Sequence, residues 1–173
     1  MRSGAAVLYS LVATICLLLG GCYDVTQEVI PLDQGEVLPY TSNYATLDKG
    51  GSLSLSRSGS GNDYRFQSTD KDGAKRTGSF RVMRIKGDVF AVQLRYDDEH
   101  DYSIFFENIT SNRFTGMAPA PGSDTAGLAK SYGVTLDEDP LDDSTWDLGG
   151  SPSAMLGFIK AHSGFDFTAS SGD

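Results

Sequence analysis

The chain has 173 residues, with 23 acidic against 14 basic side chains, two cysteines and two histidines. The length suits one domain, and a net charge of −9 speaks against a nucleic-acid surface, which needs clustered Lys and Arg. Two cysteines build neither a disulfide framework nor a four-thiolate zinc site, and two histidines exclude a three-histidine metal site within one chain.

Residues 1–21 read as a secretory signal peptide. Arg2 supplies the positive end, Ala5 to Leu19 carries no charge, and Gly20 and Gly21 are the small residues that precede a cut. The apolar run is short for a membrane-spanning helix, which needs about 20 residues. Leu19-Gly20-Gly21-Cys22 resembles the lipobox of bacterial lipoproteins. The resemblance implies a diacylglyceryl group on the Cys22 thiol, cleavage between Gly21 and Cys22, and acylation of the freed amine. It places the protein in a bacterial cell envelope, lipid-anchored to a membrane. Tyr23 in place of an Asp after the cysteine favours the periplasmic face of the outer membrane. Two or three acyl chains hold where one is marginal. Cys16 leaves with the signal peptide, and removing Arg2 with no acid makes the mature chain more acidic still.

Residues 22–45 lack a period of 2 or 3.6 and contain Pro31, Gly35 and Pro39, so they are expected to be a tether, with Val29-Ile30 and Val37-Leu38 at the domain edge. One β-rich domain is expected over 46–168, with 169–173 a polar tail. Leu53 and Leu55 alternate with serines, and Tyr64 and Phe66 alternate with Arg65 and Gln67. Phe80 to Lys86 is apolar on both faces in places, and Phe90 to Tyr96 alternates cleanly. Tyr102 to Glu107 and Arg113 to Met117 complete six strands. The turns fall at Ser58–Asn62, Asp70–Gly73, Lys86–Asp88, Asp97–Asp101 and Thr110–Asn112. Such short connections make an antiparallel meander.

Ser123 to Tyr132 reads as a helix, capped by Ser123 and stopped by Gly133. Val134 to Leu136 suits a short strand, and Asp137 to Asp147 an acidic loop. Ser151-Pro152 starts a second helix, with Met155, Leu156, Ile159 and His162 on one face and Gly164 as its stop. Phe165 and Phe167 suit a last strand. The expected fold is mainly β (α+β): an antiparallel meander of six to eight strands, curled or partly closed into a barrel, with two short C-terminal helices.

Asp97-Asp98-Glu99-His100-Asp101 groups metal-ligand types, but a short turn rarely converges them, and charge runs are usually solvated. Asp70-Lys71-Asp72-Gly73 has part of a calcium-loop pattern and lacks its closing Glu, since position twelve falls on Ser79. Asp137, Glu138, Asp139, Asp142 and Asp143 beside Trp146 form the densest acidic patch and the first candidate for binding a partner. His162 has no nucleophile motif around it. No phosphate loop, dinucleotide fingerprint or zinc-protease motif occurs, so neither a cofactor nor a catalytic residue is assigned. All nine Phe lie in the mature chain and suit core packing, or an apolar pocket inside a curled sheet. The leading expectation is a non-enzymatic envelope lipoprotein that binds a protein partner and no nucleic acid. An apolar-ligand carrier using a barrel interior is the alternative, and a hydrolase built on His162 or the acidic loop ranks third.

Overall fold

A computed structural model describes residues 22–38, 44–46, 52–58, 62–70, 72–110, 113–139 and 142–169. The signal segment 1–21 and the end of the tail, 170–173, lie outside these residues. The alternation over 52–119 builds six consecutive antiparallel strands: β3 (Ser52–Arg57), β4 (Asp63–Thr69), β5 (Lys75–Lys86), β6 (Val89–Tyr96), β7 (Tyr102–Thr110) and β8 (Arg113–Pro119). Residues Gly87 and Asp88 join β5 to β6. Gly87 sits at φ +58°, the left-handed geometry that a two-residue hairpin turn demands.

The remaining strands are β1 (Cys22–Val25), β2 (Tyr44–Thr46), β9 (Thr135–Asp139), β10 (Asp142–Gly149) and β11 (Phe167–Ala169). All of them join the same sheet, in the order β2-β3-β4-β5-β6-β7-β1-β10-β9. The sheet forks at β7. One edge of β7 pairs with β6; the other is shared, with β1 along Tyr102 to Ile104 and β8 along Phe106 to Thr110. β11 adds to β8, and β1 runs parallel to β10. The sheet is therefore mixed and mostly antiparallel. It does not close into a barrel. β2 comes beside β8 without pairing, because part of β8 is taken by β11 and because β1, β10 and β9 extend the sheet beyond β7.

Both faces are apolar, which is why β5 and β7 lack the clean alternation of a half-exposed sheet. Tyr23, Val25, Met83, Ala91, Ile104 and Phe106 lie on one face. It is covered by the helices α1 (Thr125–Tyr132) and α2 (Pro152–Ala161), through Ala129, Met155, Phe158, Ile159 and the following His162. On the opposite face Phe66, Phe80, Val82, Phe90, Val92, Phe105 and Ile109 fill the inside of the curl. Ser151 caps α2 by accepting from the Ala154 amide at 3.3 Å, and Pro152 opens the helix, as expected. The α1 cap is Asp124 rather than Ser123: its carboxylate accepts from Gly127 N at 2.8 Å. Gly133 stops α1 at φ +67°. α2 ends at Ala161, one 3-10 turn short of Gly164.

Two expectations are corrected. Residues 137–147 are no loop, since β9 and β10 form a hairpin through them. Nor are residues 22–38 a tether. β1 lies between β7 and β10, with Tyr23 and Val25 buried. Beyond it, the Gln93 side-chain oxygen accepts from the amides of Val29 at 2.7 Å and Ile30 at 2.8 Å. Arg81 holds Glu28 at 2.6 Å and Asp63 at 2.7 Å, and also donates to the Ile30 carbonyl. Glu36 N donates to Val82 O at 2.8 Å, and Leu38 N to the Tyr64 hydroxyl at 2.9 Å. These anchors come from distant side chains and from single backbone bonds, so the segment carries no period of its own. The rest of the predicted tether falls on β2 or outside the described residues.

Gln93 is the point where this segment is most exposed to failure. Gln93→Leu keeps the volume and removes the acceptor for two buried amides, at a cost of about 2–4 kcal/mol. Urea unfolding should show that loss as a lower midpoint with an unchanged slope. An unaltered midpoint would mean that the 22–38 segment does not depend on this bond pair.

Candidate functional site

A cleft of about 450 Å³ lies where the sheet forks, with Tyr23 from β1, Trp146 from β10 and Leu136 from β9 on its sheet side. The end of β8, the 119–124 loop and the first turn of α1 form the opposite wall, which includes Pro119 and Pro121. Register puts the aromatic pair together: Tyr23 stands beside Trp146 in the parallel β1–β10 ladder. Tyr23 is buried at the cleft's base, its ring edge-on to Phe106 and Phe158.

Behind Tyr23 sits His162, fully buried at the end of α2. The histidine Nδ1 lies 3.0 Å from the Phe158 carbonyl, which can only accept, so Nδ1 carries the proton. Nε2 then accepts from the Tyr23 hydroxyl at 3.1 Å. Rings of Phe106, Phe158 and Phe165 surround the imidazole. Burial lowers its pKa from 6.5 to about 4, against smaller opposing effects of hydrogen bonds to the backbone of Phe158 and Ile159. Burial also raises the Tyr23 hydroxyl, helped by nearby Cys22. The pair is thus neutral at pH 7 and ties the first strand to the last helix.

Of the acidic patch, Trp146 lines the cleft. Asp137 and Glu138 are exposed on β9, opposite Asp147 and Trp146 respectively. Successive strand residues face opposite ways, so Asp137 and Glu138 do not converge. Backbone pairing sets Asp139 against Asp142, while the side chains of Asp139, Asp142 and Asp143 lie outside the described residues. Cys22 opens β1 with its side chain in the apolar interior of the curl, fully buried. Gly21, the other side of the predicted cut, lies outside the described residues.

The two acidic turns are engaged in structure. Asp97 takes a two-pronged contact from Arg65 at 2.8 and 2.6 Å and a bond from Thr77 at 2.7 Å. Those bonds, Arg65 first, lower its pKa to about 2. Arg76 reaches Glu99 at 2.7 Å and Asp98 at 3.2 Å, with its guanidinium 3.4 Å from the Tyr96 ring centre. Asp70 folds its own turn by accepting from the amides of Asp72 and Ala74. Among the described residues, no three His, Cys, Asp or Glu side chains group to hold a metal ion.

Tyr23 carries no site signal in the sequence, because a four-residue strand gives too little alternation to detect. Phe158, three residues after Met155, belongs to the same buried face of α2.

His162 ties stability to pH. Its pKa is about 6.5 unfolded and about 4 folded, so below pH 6.5 the unfolded chain binds more protons. Stability should fall as pH drops from 6.5 towards 4, by about 3 kcal/mol in all. Unfolding free energies at several pH values would check this, and His162→Gln should flatten the slope across that window.

Cys22 burial has its own readout. In unprocessed, unacylated full-length chain carrying Cys16→Ser, the Cys22 thiol should react with a maleimide only after denaturation. Fast labelling of the native protein would place Cys22 outside the sheet.

No protein-family model matches the chain, and no match was found among curated proteins or solved structures.

Proposed function

We propose that this chain is a lipid-anchored bacterial envelope protein that works as a non-enzymatic interaction module. The observation that carries the reading is Leu19-Gly20-Gly21-Cys22 following an uncharged run at the extreme N-terminus. The Cys22 sulfur is buried in the folded domain, so the thioether has to form before the sheet closes. In the anchored form the first residue of β1 then turns outward while Tyr23 to Val25 stay paired.

A partner has a ready place at β9. Among the described residues that strand ends the sheet order, carries the exposed Asp137 and Glu138, and offers an edge to which another chain can add. A partner with basic side chains fits those acids, and the net charge of −9 directs such encounters. Apolar-ligand carriage inside the curl is not favoured by any particular contact, since aromatic side chains occupy that face.

The test is metabolic labelling in a host that processes lipoproteins. Labelled palmitate should enter the full-length protein and be absent from Cys22→Ala. Mass spectrometry should find the mature chain starting at an acylated Cys22. A wild-type protein without label, or cut elsewhere, removes the basis of the reading.

A further inference from the structure

Among the described residues β9 is the last strand on its side of the sheet, so one row of its backbone groups has no strand beside it. The same strand borders the cleft. Leu136 and Glu138 lie opposite Leu148 and Trp146 of β10 and share their face, and Leu136 and Trp146 line the cleft from there, both half-buried. Asp137 faces the other way, beside Asp147. Resting on the reading of this chain as an interaction module, we infer that β9 takes an extended segment of a partner protein in which two successive basic residues adjoin an apolar one. The basic pair lies against Asp137 and Glu138, and the apolar side chain lies against Leu136 on the cleft side.

Charge selects this occupant. No Lys or Arg occurs between Lys130 and Lys160, whereas residues 137–147 hold six acids. Register sets the exposed Asp137 opposite the exposed Asp147, and like charges at opposed positions repel. Elsewhere in the sheet the acids are answered within the chain: Arg65 holds Asp97, and Arg76 holds Asp98 and Glu99. Among the described residues Asp137, Glu138 and Asp147 take part in no ion pair. The hairpin therefore carries a repulsion that a basic strand would relieve. A second copy of this chain, pairing through its own β9, would set acids against acids at the same edge, so charge works against that occupant.

Backbone bonds give such a strand its hold, and the side chains give it its register. In a strand added at the free edge, the residue opposite Leu136 projects to the cleft side and the next residue to the far side. An apolar side chain there removes Leu136 from water, next to a hollow that Trp146, Pro119 and Pro121 already line with apolar surface. An antiparallel partner presents the order basic, basic, apolar; a parallel partner presents the reverse.

The probes are the end-blocked, dye-labelled peptides Thr-Thr-Lys-Lys-Phe-Thr-Thr and Thr-Thr-Phe-Lys-Lys-Thr-Thr. The full-length protein is purified from its host in a non-ionic detergent, and binding is read by anisotropy. Trp146 is the chain's one tryptophan, so its emission reports on the cleft. One of the two peptides should bind and shift that emission to shorter wavelength. Glutamates in place of both lysines should weaken binding about tenfold or more. The double variant Asp137→Lys with Glu138→Lys, at exposed positions, should bind the glutamate peptide and lose the lysine one. Methylating alternate backbone nitrogens of the peptide should abolish binding in one alternate set and spare it in the other, because an added strand pairs through one edge. Binding that survives both sets, that the charge reversal leaves unchanged, or that leaves Trp146 emission unmoved overturns the inference. No binding of either peptide to protein acylated at Cys22 overturns it and leaves the anchor standing. Binding to protein with an unmodified Cys22 supports the strand site and overturns the anchor.

Discussion

β7 has two edges and three partners, and that constraint organises the molecule. One edge pairs with β6 from Ser103 to Asn108, and the other is divided between β1 and β8. Neither β1 nor β8 can extend without displacing the other. The divided edge stops the meander from closing, sends β1, β10 and β9 outward as a second wing, and opens the cleft at the point of divergence. A barrel would have left none of these features, because closure removes both the edges and the fork.

The fork also explains why the chain is so aromatic. A sheet buried on both faces needs two cores, and here each has its own rings. Tyr23, Phe106 and Phe158 meet edge-on under the helices. Tyr64, Phe66, Phe80 and Tyr96 stack or meet edge-on inside the curl. Gly78 shows how close that second packing is: a Cβ there would come within 2.6 Å of the Phe66 ring and 2.4 Å of the Arg95 carbonyl. Edge-to-face geometry lets large rings share a small volume without face-to-face repulsion.

The meander from Leu53 to Met117 was readable because its elements are local: each strand is followed at once by the turn that aims it at its neighbour. The helix starts were readable for the same reason, although the α1 cap moved from Ser123 to Asp124 where two side chains of similar capping ability stand side by side. What could not be read is non-local. β1 is four residues long and finds its partners in β7 and β10 far along the chain. The 26–38 segment is fixed by Arg81, Gln93 and Tyr64, whose reach does not show in a one-dimensional pattern. The acidic stretch 137–147 resembled a loop because its composition is poor for strands, and pairing with neighbours overrode that preference. Of the candidate site, Trp146 was visible in the sequence; Tyr23 and the 119–124 wall come into place only through the fork.

The parallel pairing of Cys22–Asp24 with β10 has a consequence for the order of assembly. Emerging first, β1 must wait for residues 102–104 and then 145–147 before its two ladders exist. Contacts of such sequence separation are slow to form, because a long loop must be ordered before they repay its entropy. The Cys22 sulfur therefore stays accessible while the chain is being made, and the sheet is completed only after residues 145–147 are available. On the anchor proposed above, a delay of that kind separates in time two events that exclude each other in space: chemistry at the Cys22 sulfur, and its burial.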